Sequence, residues 1–135
     1  MSLTTCPSNR YFDQRHYGEL PQTIAHWSIL IDRPQIEQTL INLIKNATEA
    51  CCEKELAAIA IQCSHDRQKQ QIVLSVSDNG CGILPEVQDK IFVPFFSTKQ
   101  NGSGIGLNLC KQIARLHGGN LAVSSTPGIG TTFTM

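Results

Sequence analysis

Ile72-Val73-Leu74-Ser75-Val76-Ser77-Asp78-Asn79-Gly80-Cys81-Gly82-Ile83 reads as a strand that ends on a carboxylate, followed by two glycines at alternate positions. About twenty residues further on, Gly102-Ser103-Gly104-Ile105-Gly106-Leu107 places three more alternate glycines where a helical pattern begins. A carboxylate at the end of a buried strand is costly unless it is hydrogen-bonded. An exocyclic amine such as that of adenine is a suitable donor. Gly80 and Gly82 have no Cβ, so a flat base can approach and the chain can take φ > 0. The start of a helix offers free amides and the positive end of a dipole, which favours phosphate. The pair reads as a nucleotide site, with an acid for the base and a glycine-lined helix start for the phosphates. Taken singly, Asp-Asn-Gly is a common hairpin turn and a glycine triplet is weak.

Between these stretches the pattern weakens. Pro85 opens a short helical piece, and Ile91-Phe92-Val93-Pro94-Phe95-Phe96-Ser97-Thr98-Lys99 follows. A loop of this length in a small domain is usually functional. It reads as a lid with Phe92, Phe95 and Phe96 as hydrophobic latches, or with one or two of these rings in the core. Gly104 to His117 reads as a helix with the stripe Ile105, Leu109, Ile113 and Leu116, ended by Gly118-Gly119. Leu121–Ser125 and Thr131–Met135 read as short strands joined by the turn residues Pro127-Gly128-Ile129-Gly130.

Towards the N-terminus, Ala57, Ile59, Ile61 and Cys63 alternate as in a half-buried strand. With Ile72–Asp78 they predict a hairpin across the polar run Ser64–Gln71. Before it, Asp32 caps a helix, Pro34 suits the first turn and Gln35 makes a capping-box variant. Ile36, Leu40, Leu43, Ile44, Ala47 and Cys51 form its apolar stripe. Asn42 and Asn46 share the other face, near Glu49 and Glu53. A solvated face is the ordinary explanation, but two interior asparagines are mildly unfavourable in a helix. Thr23–Ile31 reads as a strand with Trp27, Ile29 and Ile31 on one face. Residues 1–21 read as a lead-in, leaving 22–135 as one domain.

The totals exclude several classes. At 135 residues, 41% hydrophobic and 16% charged, the chain is long enough for one core and too apolar for disorder. Its formal net charge is zero and it has no basic stripe, so no nucleic-acid partner is expected. The longest apolar run, Leu56–Ile61, is too short to span a bilayer, and no signal peptide is read. Direct membrane contact is not expected. Six cysteines lack any C-x-x-C pair, which argues against zinc and for a reduced, cytoplasmic setting. Cys63 and Cys110 lie in apolar patterns, where a thiol acts as a small hydrophobe.

With these residues placed, the chain resembles the ATP-binding catalytic domain of sensor histidine kinases. That domain shares a superfamily with DNA gyrase, the ATP-driven heat-shock chaperone and the mismatch-repair ATPase. Gln38-Thr39-Leu40-Ile41-Asn42-Leu43-Ile44-Lys45-Asn46-Ala47 looks like the family's N box, and Asp78-Asn79-Gly80-Cys81-Gly82 its first glycine box. Ile91-Phe92-Val93-Pro94-Phe95-Phe96 looks like the phenylalanine box and Gly102–Leu107 the second glycine box. Gly130-Thr131-Thr132-Phe133 resembles the closing glycine-threonine element. The likeness runs from about Asp32 to Met135.

The resemblance implies an α+β fold: a two-layer α/β sandwich, its sheet mixed but mainly antiparallel. About five strands and about three helices on one face are expected, in the Bergerat-type arrangement. It implies ATP and Mg²⁺ as cofactors. Asn46 would give its carboxamide oxygen to the metal, and Asp78 would receive the adenine amine. Gly80, Gly82 and Ile83 would line the base. Thr98 and Lys99 would reach the phosphates, and Gly102, Gly104, Ile105, Gly106 and Leu107 would present backbone donors. Thr131 is a weaker candidate for a water-bridged adenine contact. Family members that hydrolyse ATP carry a glutamate where this chain has Asn42, which cannot take a proton at neutral pH. That favours transfer to a protein nucleophile over hydrolysis. Glu49 resembles kinases of the nitrogen-regulation type.

None of His16, His26, His65 or His117 sits in a clear acceptor helix. The phosphoacceptor is therefore expected on a separate dimerisation domain, with a response regulator downstream and this chain as one domain of a longer kinase. The competing classes are a nucleotide-sensing module without transfer, and a serine/threonine kinase of the anti-sigma type.

Overall fold

A computed structural model describes residues 29–98 and 102–135. The chain divides into two units, Met1–Leu30 and Ile31–Met135, and every described element belongs to the second. In order these are α1 (Arg33–Ala50), β1 (Ile59–Asp66), β2 (Gln71–Asp78), α2 (Pro85–Gln88), α3 (Gly106–Leu116), β3 (Ala122–Thr126) and β4 (Gly130–Thr134).

The four strands form one antiparallel sheet in the order β1-β2-β4-β3. Val76 pairs with Phe133 and Asp78 with Thr131, so these four side chains share one face. Val76, Phe133 and Thr131 are buried on it, beneath the helices. The fifth expected strand, Thr23–Ile31, falls mostly outside the described residues, and its described end, 29–31, is not in a strand. The expected 57–63 and 72–78 hairpin forms. Asp66 turns it, with Oδ1 accepting from the amides of Gln68 (3.0 Å) and Lys69 (3.1 Å).

The capping of α1 follows the sequence in one half only. Asp32 accepts from the Gln35 amide at 3.1 Å, as a cap should. The reciprocal contact comes from across the fold. The Asp32 amide donates to His117 Nε2 at 3.0 Å, and His117 Nδ1 lies 2.8 Å from the Ile113 carbonyl. Both contacts are satisfied by a neutral ring with its proton on Nδ1. His117 thus ties the end of α3 to the start of α1.

Two expected apolar faces are corrected. On α3, Ile105, Leu109 and Leu116 are exposed, and of the predicted stripe only Ile113 is buried. The buried face is Cys110, Ile113 and Ala114, with Leu107 against the core. Small side chains at 110 and 114 let α3 lie close on Thr39, Leu43 and Ala47 of α1, and close packing outweighs hydrophobicity here. On β1, Ile61 is 52% exposed and Cys63 is exposed, so the strand is not half-buried. Among the described residues it is the sheet edge, and the buried core residues of α1 cluster with β2 and β4, with only Ile59 of β1 packed against them.

Candidate functional site

A cleft of about 880 Å³ opens between α1, the end of β2, the start of α3 and β4. Asn42, Lys45, Asn46 and Glu49 line it from α1, because spacings of three and four put them on one side of the helix. Asn42 is steadied from below. Its carboxamide lies against Gly106, where an added Cβ would sit 3.6 Å from Asn42 Cγ. Beneath it the Cys110 thiol donates to the Thr39 carbonyl at 3.8 Å, and its pKa is pushed up chiefly by burial.

Asp78 closes β2 and lines the cleft. Its Oδ1 accepts from the Gly80 amide at 2.8 Å. Its charge is felt nearby: burial first, then the Asp78 carboxylate, raise the Cys51 thiol above its ordinary value. Gly82 and Ile83 also line the cleft, whereas Gly80 does not. Gly80 is buried against the end of α1, where a Cβ would fall 2.6 Å from the Ala50 carbonyl. Gly82, at φ 72°, would place a Cβ 2.3 Å from the Thr126 oxygen. Both glycines are thus required by the loop's own packing.

At the far end Gly102, Gly104, Gly106 and Leu107 line the cleft with Thr98. Helix α3 begins here at Gly106, two residues later than the expected Gly104, and no side chain caps it. Its first amides have no partner within the helix, and Gly106 and Leu107, which carry two of them, line this end of the cleft. Ile105 is exposed outside the cleft, and Lys99 lies outside the described residues. Phe92 and Phe96 pack on the core, while Phe95 is 79% exposed at φ 65°.

Sequence reasoning missed the residues that hold the Asp78 loop. Ser125 Oγ accepts from the Ile83 amide at 2.8 Å, and Gln88 Nε2 donates to the carbonyls of Ile83 and Ser125, each at 3.1 Å. The signal was a hydroxyl at an inward position of an alternating strand, after Leu121 and Val123. Asn79 was missed too. Its Oδ1 accepts from the Ala58 amide (2.9 Å) and the Cys51 thiol (3.5 Å), and its Nδ2 donates to the Leu56 carbonyl (2.8 Å).

The cleft therefore sets acceptors at a strand end opposite a bare helix start, with carboxamides along one wall. On this antiparallel sheet under paired helices, that arrangement defines the ATP-binding domain class of histidine kinases and their relatives. Residues 31–135 match the family described as histidine kinase-, DNA gyrase B- and HSP90-like ATPase, and the chain belongs to it. It is 43% identical over 104 residues to the signal transduction histidine-protein kinase AtoS of Escherichia coli (strain K12), covering 77% of this chain and 17% of AtoS. It is 36% identical over 115 residues to the sensory histidine kinase/phosphatase NtrB of Vibrio alginolyticus, covering 79% of this chain and 33% of NtrB. Among solved structures it matches the catalytic domain of histidine kinase ThkA (TM-score 0.66, 36% identity, 77% of this chain and 66% of that one). It also matches full-length ShkA in complex with AMPPNP (TM-score 0.63, 26% identity, 74% of this chain and 20% of that one). The chain thus spans a small part of the curated kinases it matches. Among the described residues no helix is long and apolar enough to cross a membrane.

Proposed function

We propose that the cleft binds ATP with Mg²⁺ and that the domain donates the γ-phosphoryl group to a histidine on a separate phosphoacceptor domain in two-component signalling. One arrangement carries this: Asp78, Asn46 and the start of α3 line a single cleft. Asp78 takes the adenine amine, Ile83 and Gly82 lie along the base, and Thr131 offers a further acceptor. Gly102, Gly104, Gly106 and Leu107 give amides to the phosphates, and Thr98, with Lys99 by charge, reaches them from the preceding segment.

The donor set suits magnesium. Asn46 offers a carboxamide oxygen in the cleft, and no group of three His, Cys, Asp or Glu that could hold a metal occurs among the described residues. Such a site fits a hydrated Mg²⁺ held largely by the nucleotide's own phosphates. When bound, the ion neutralises charge on the transferring phosphoryl group. The chain's own part is positioning. Asn42, held against Gly106, carries no carboxylate to take a proton from water at that point of the helix. Transfer therefore waits for the acceptor protein. The exposed apolar residues Ile105, Leu109 and Phe95 surround the α3 start and give that partner a surface beside the phosphates. The response regulator acts downstream.

Mixing the full chain with a separately purified two-helix phosphoacceptor domain, [γ-³²P]ATP and Mg²⁺ tests this. Acid-labile label on the acceptor is expected. Acid-stable label would point to serine or threonine instead, and bound but unreacted ATP would leave only a nucleotide-sensing module.

A further inference from the structure

Two thiols meet at the β2 end of the cleft. Cys81 is exposed and lines the cleft, whereas Cys51 is buried at the end of α1. The Cys81 amide donates to the carbonyl of Ala50, the residue before Cys51, at 3.1 Å. Standard bond lengths then keep the two Cα atoms within about 7 Å. A disulfide spans about 4.4–6.8 Å between Cα atoms. Cys51 Sγ lies 3.5 Å from Asn79 Oδ1, so this thiol faces the loop that carries Cys81. The two sulfurs also sense each other. Burial first, then the Asp78 charge, and in smaller part Cys81 itself raise the Cys51 pKa.

The Cys81 backbone is pinned on both sides: its amide goes to Ala50, and its carbonyl accepts from Gly128 at 2.7 Å. The side chain is left to move, and a change of χ1 carries its sulfur from the cleft towards Cys51. Other pairings are disfavoured. Cys52 is next to Cys51 in the chain, and adjacent Cα atoms stand about 3.8 Å apart, short of the usual span. Cys63 sits on β1 opposite Leu74, and Cys110 bonds the Thr39 carbonyl between α1 and α3.

We infer that Cys81 is a thiolation site at which a small-molecule disulfide excludes nucleotide from the cleft, and that Cys51 is the resolving thiol that clears it. A disulfide of the glutathione class is the oxidant. The Cys81 thiolate, its proton lost to solvent, attacks one sulfur of that disulfide. The S–S bond breaks, a mixed disulfide forms on Cys81, and one small thiol leaves. Cys51 then gives up its proton, attacks the Cys81 sulfur, and releases the second small thiol. Two cysteine thiols are thereby oxidised to one disulfide, and one small disulfide is reduced to two thiols. Burial shields Cys51 from reagents in solution, so its partner is the sulfur already delivered beside it. Between the two steps the adduct stands in the cleft next to Gly82 and Ile83. The exclusion of nucleotide rests on the reading of the cleft given above, whereas the thiol pair does not.

The test treats the nucleotide-free full chain with oxidised glutathione at neutral pH, quenches with acid, and maps non-reduced digests by mass spectrometry. Cys81 should carry a glutathionyl group early and a link to Cys51 later, while Cys52 and Cys63 keep their adducts. Dithiothreitol should reverse all of them. Cys51→Ser, which keeps a donor for Asn79, should raise the occupancy of the Cys81 adduct severalfold, and Cys51→Ala should do the same if the serine is poorly tolerated. The trapped Cys51→Ser chain should lose ATP binding in calorimetry, and dithiothreitol should restore it. An adduct on Cys81 that lasts as long in wild type as in the variants, or a link from Cys81 to any other cysteine, overturns the resolving role of Cys51. A trapped adduct that leaves ATP affinity unchanged overturns the exclusion. If the reduced wild type binds no ATP, the nucleotide reading fails, and the disulfide map still decides the thiol pair.

Discussion

At the β2 end of the cleft, Ile83 has both peptide groups taken by side chains, and Gly128 donates its amide to the Cys81 carbonyl at 2.7 Å. At the α3 end, Phe95 stands 79% exposed at φ 65°, the Ser103 hydroxyl lies 3.4 Å from the Ile105 amide, and Asn108 Nδ2 donates to the Phe92 carbonyl at 2.9 Å. One end is fixed before any ligand arrives. The other joins Phe95 to Gly104 through backbone alone, with the Phe95 amide donating at 3.0 Å, and it turns apolar side chains outward. Recognition of a base needs acceptors already aimed. Handing a phosphoryl group to another protein needs a segment that can adjust, and such segments come from the weakly held part of a fold.

The contrast can be broken most severely at Gly130, where an added Cβ would fall 2.0 Å from the Asp78 carbonyl oxygen. Gly130→Ala is expected to lose about 2–4 kcal/mol of stability, because backbone on both sides must move. Gly128, in the same turn at φ 76°, has nothing within 4 Å of the corresponding point. Gly128→Ala should therefore cost only the left-handed strain, about 1 kcal/mol. Urea unfolding of the two variants checks the ranking, and equal losses would mean the 78–83 loop is less tightly seated than its contacts indicate. Next in size, Asp78→Asn removes a charged acceptor and introduces donors. ATP binding should weaken by about 10- to 100-fold with the fold intact, read by calorimetry alongside circular dichroism. At the α3 end the sign reverses. Phe95→Gly should leave ATP affinity near wild type and raise stability by about 0.5–1 kcal/mol, since an exposed ring gives up left-handed strain. A clear drop in melting temperature would show that Phe95 is held by packing after all.

The same contrast explains what the sequence could reveal. The strand end, the helix start and the asparagine face of α1 were legible because each is a local pattern: a terminal acid, alternate glycines, a spacing of four. The Asp32 half of the α1 cap is legible for the same reason, whereas its His117 half is not. The buried face of α3 was not. Cys110 and Ala114 bring α3 onto α1 by being small, a property of the fit between two helices that single-helix periodicity does not carry. Ile105, Leu109 and Leu116 read as core because they are apolar, yet they face outward. Gly80 reads from the sequence as making room for a base. It makes room for Ala50, a neighbour 30 residues away that only tertiary structure supplies. Ser125 is not legible because its meaning depends on three partners from two separate segments.

The thiols give the finest test of which cleft wall is closed. Cys52, Cys63 and Cys81 are exposed, while Cys51 and Cys110 are buried with pKa values raised above 9.0, in each case mainly by burial. At neutral pH the buried pair stays protonated and shielded, and a thiolate is the reactive form. Iodoacetamide should label the exposed three and spare these two, as mass spectrometry of digested peptides would read. Cys81 lines the cleft, so ATP should slow its labelling while leaving Cys52 and Cys63 unchanged. The pH dependence has a definite sign. Above 9.0 the unfolded chain loses these two protons before the folded chain does, so the folded state binds more protons and stability falls as pH rises. Below that value the two thiols contribute no slope. Replacing Cys110 by alanine should remove part of the alkaline loss, at the expense of a small cavity between α1 and α3. If Cys51 instead labels as fast as Cys81, the wall behind Asp78 is open to solvent, and the β2 end is no better fixed than the α3 end.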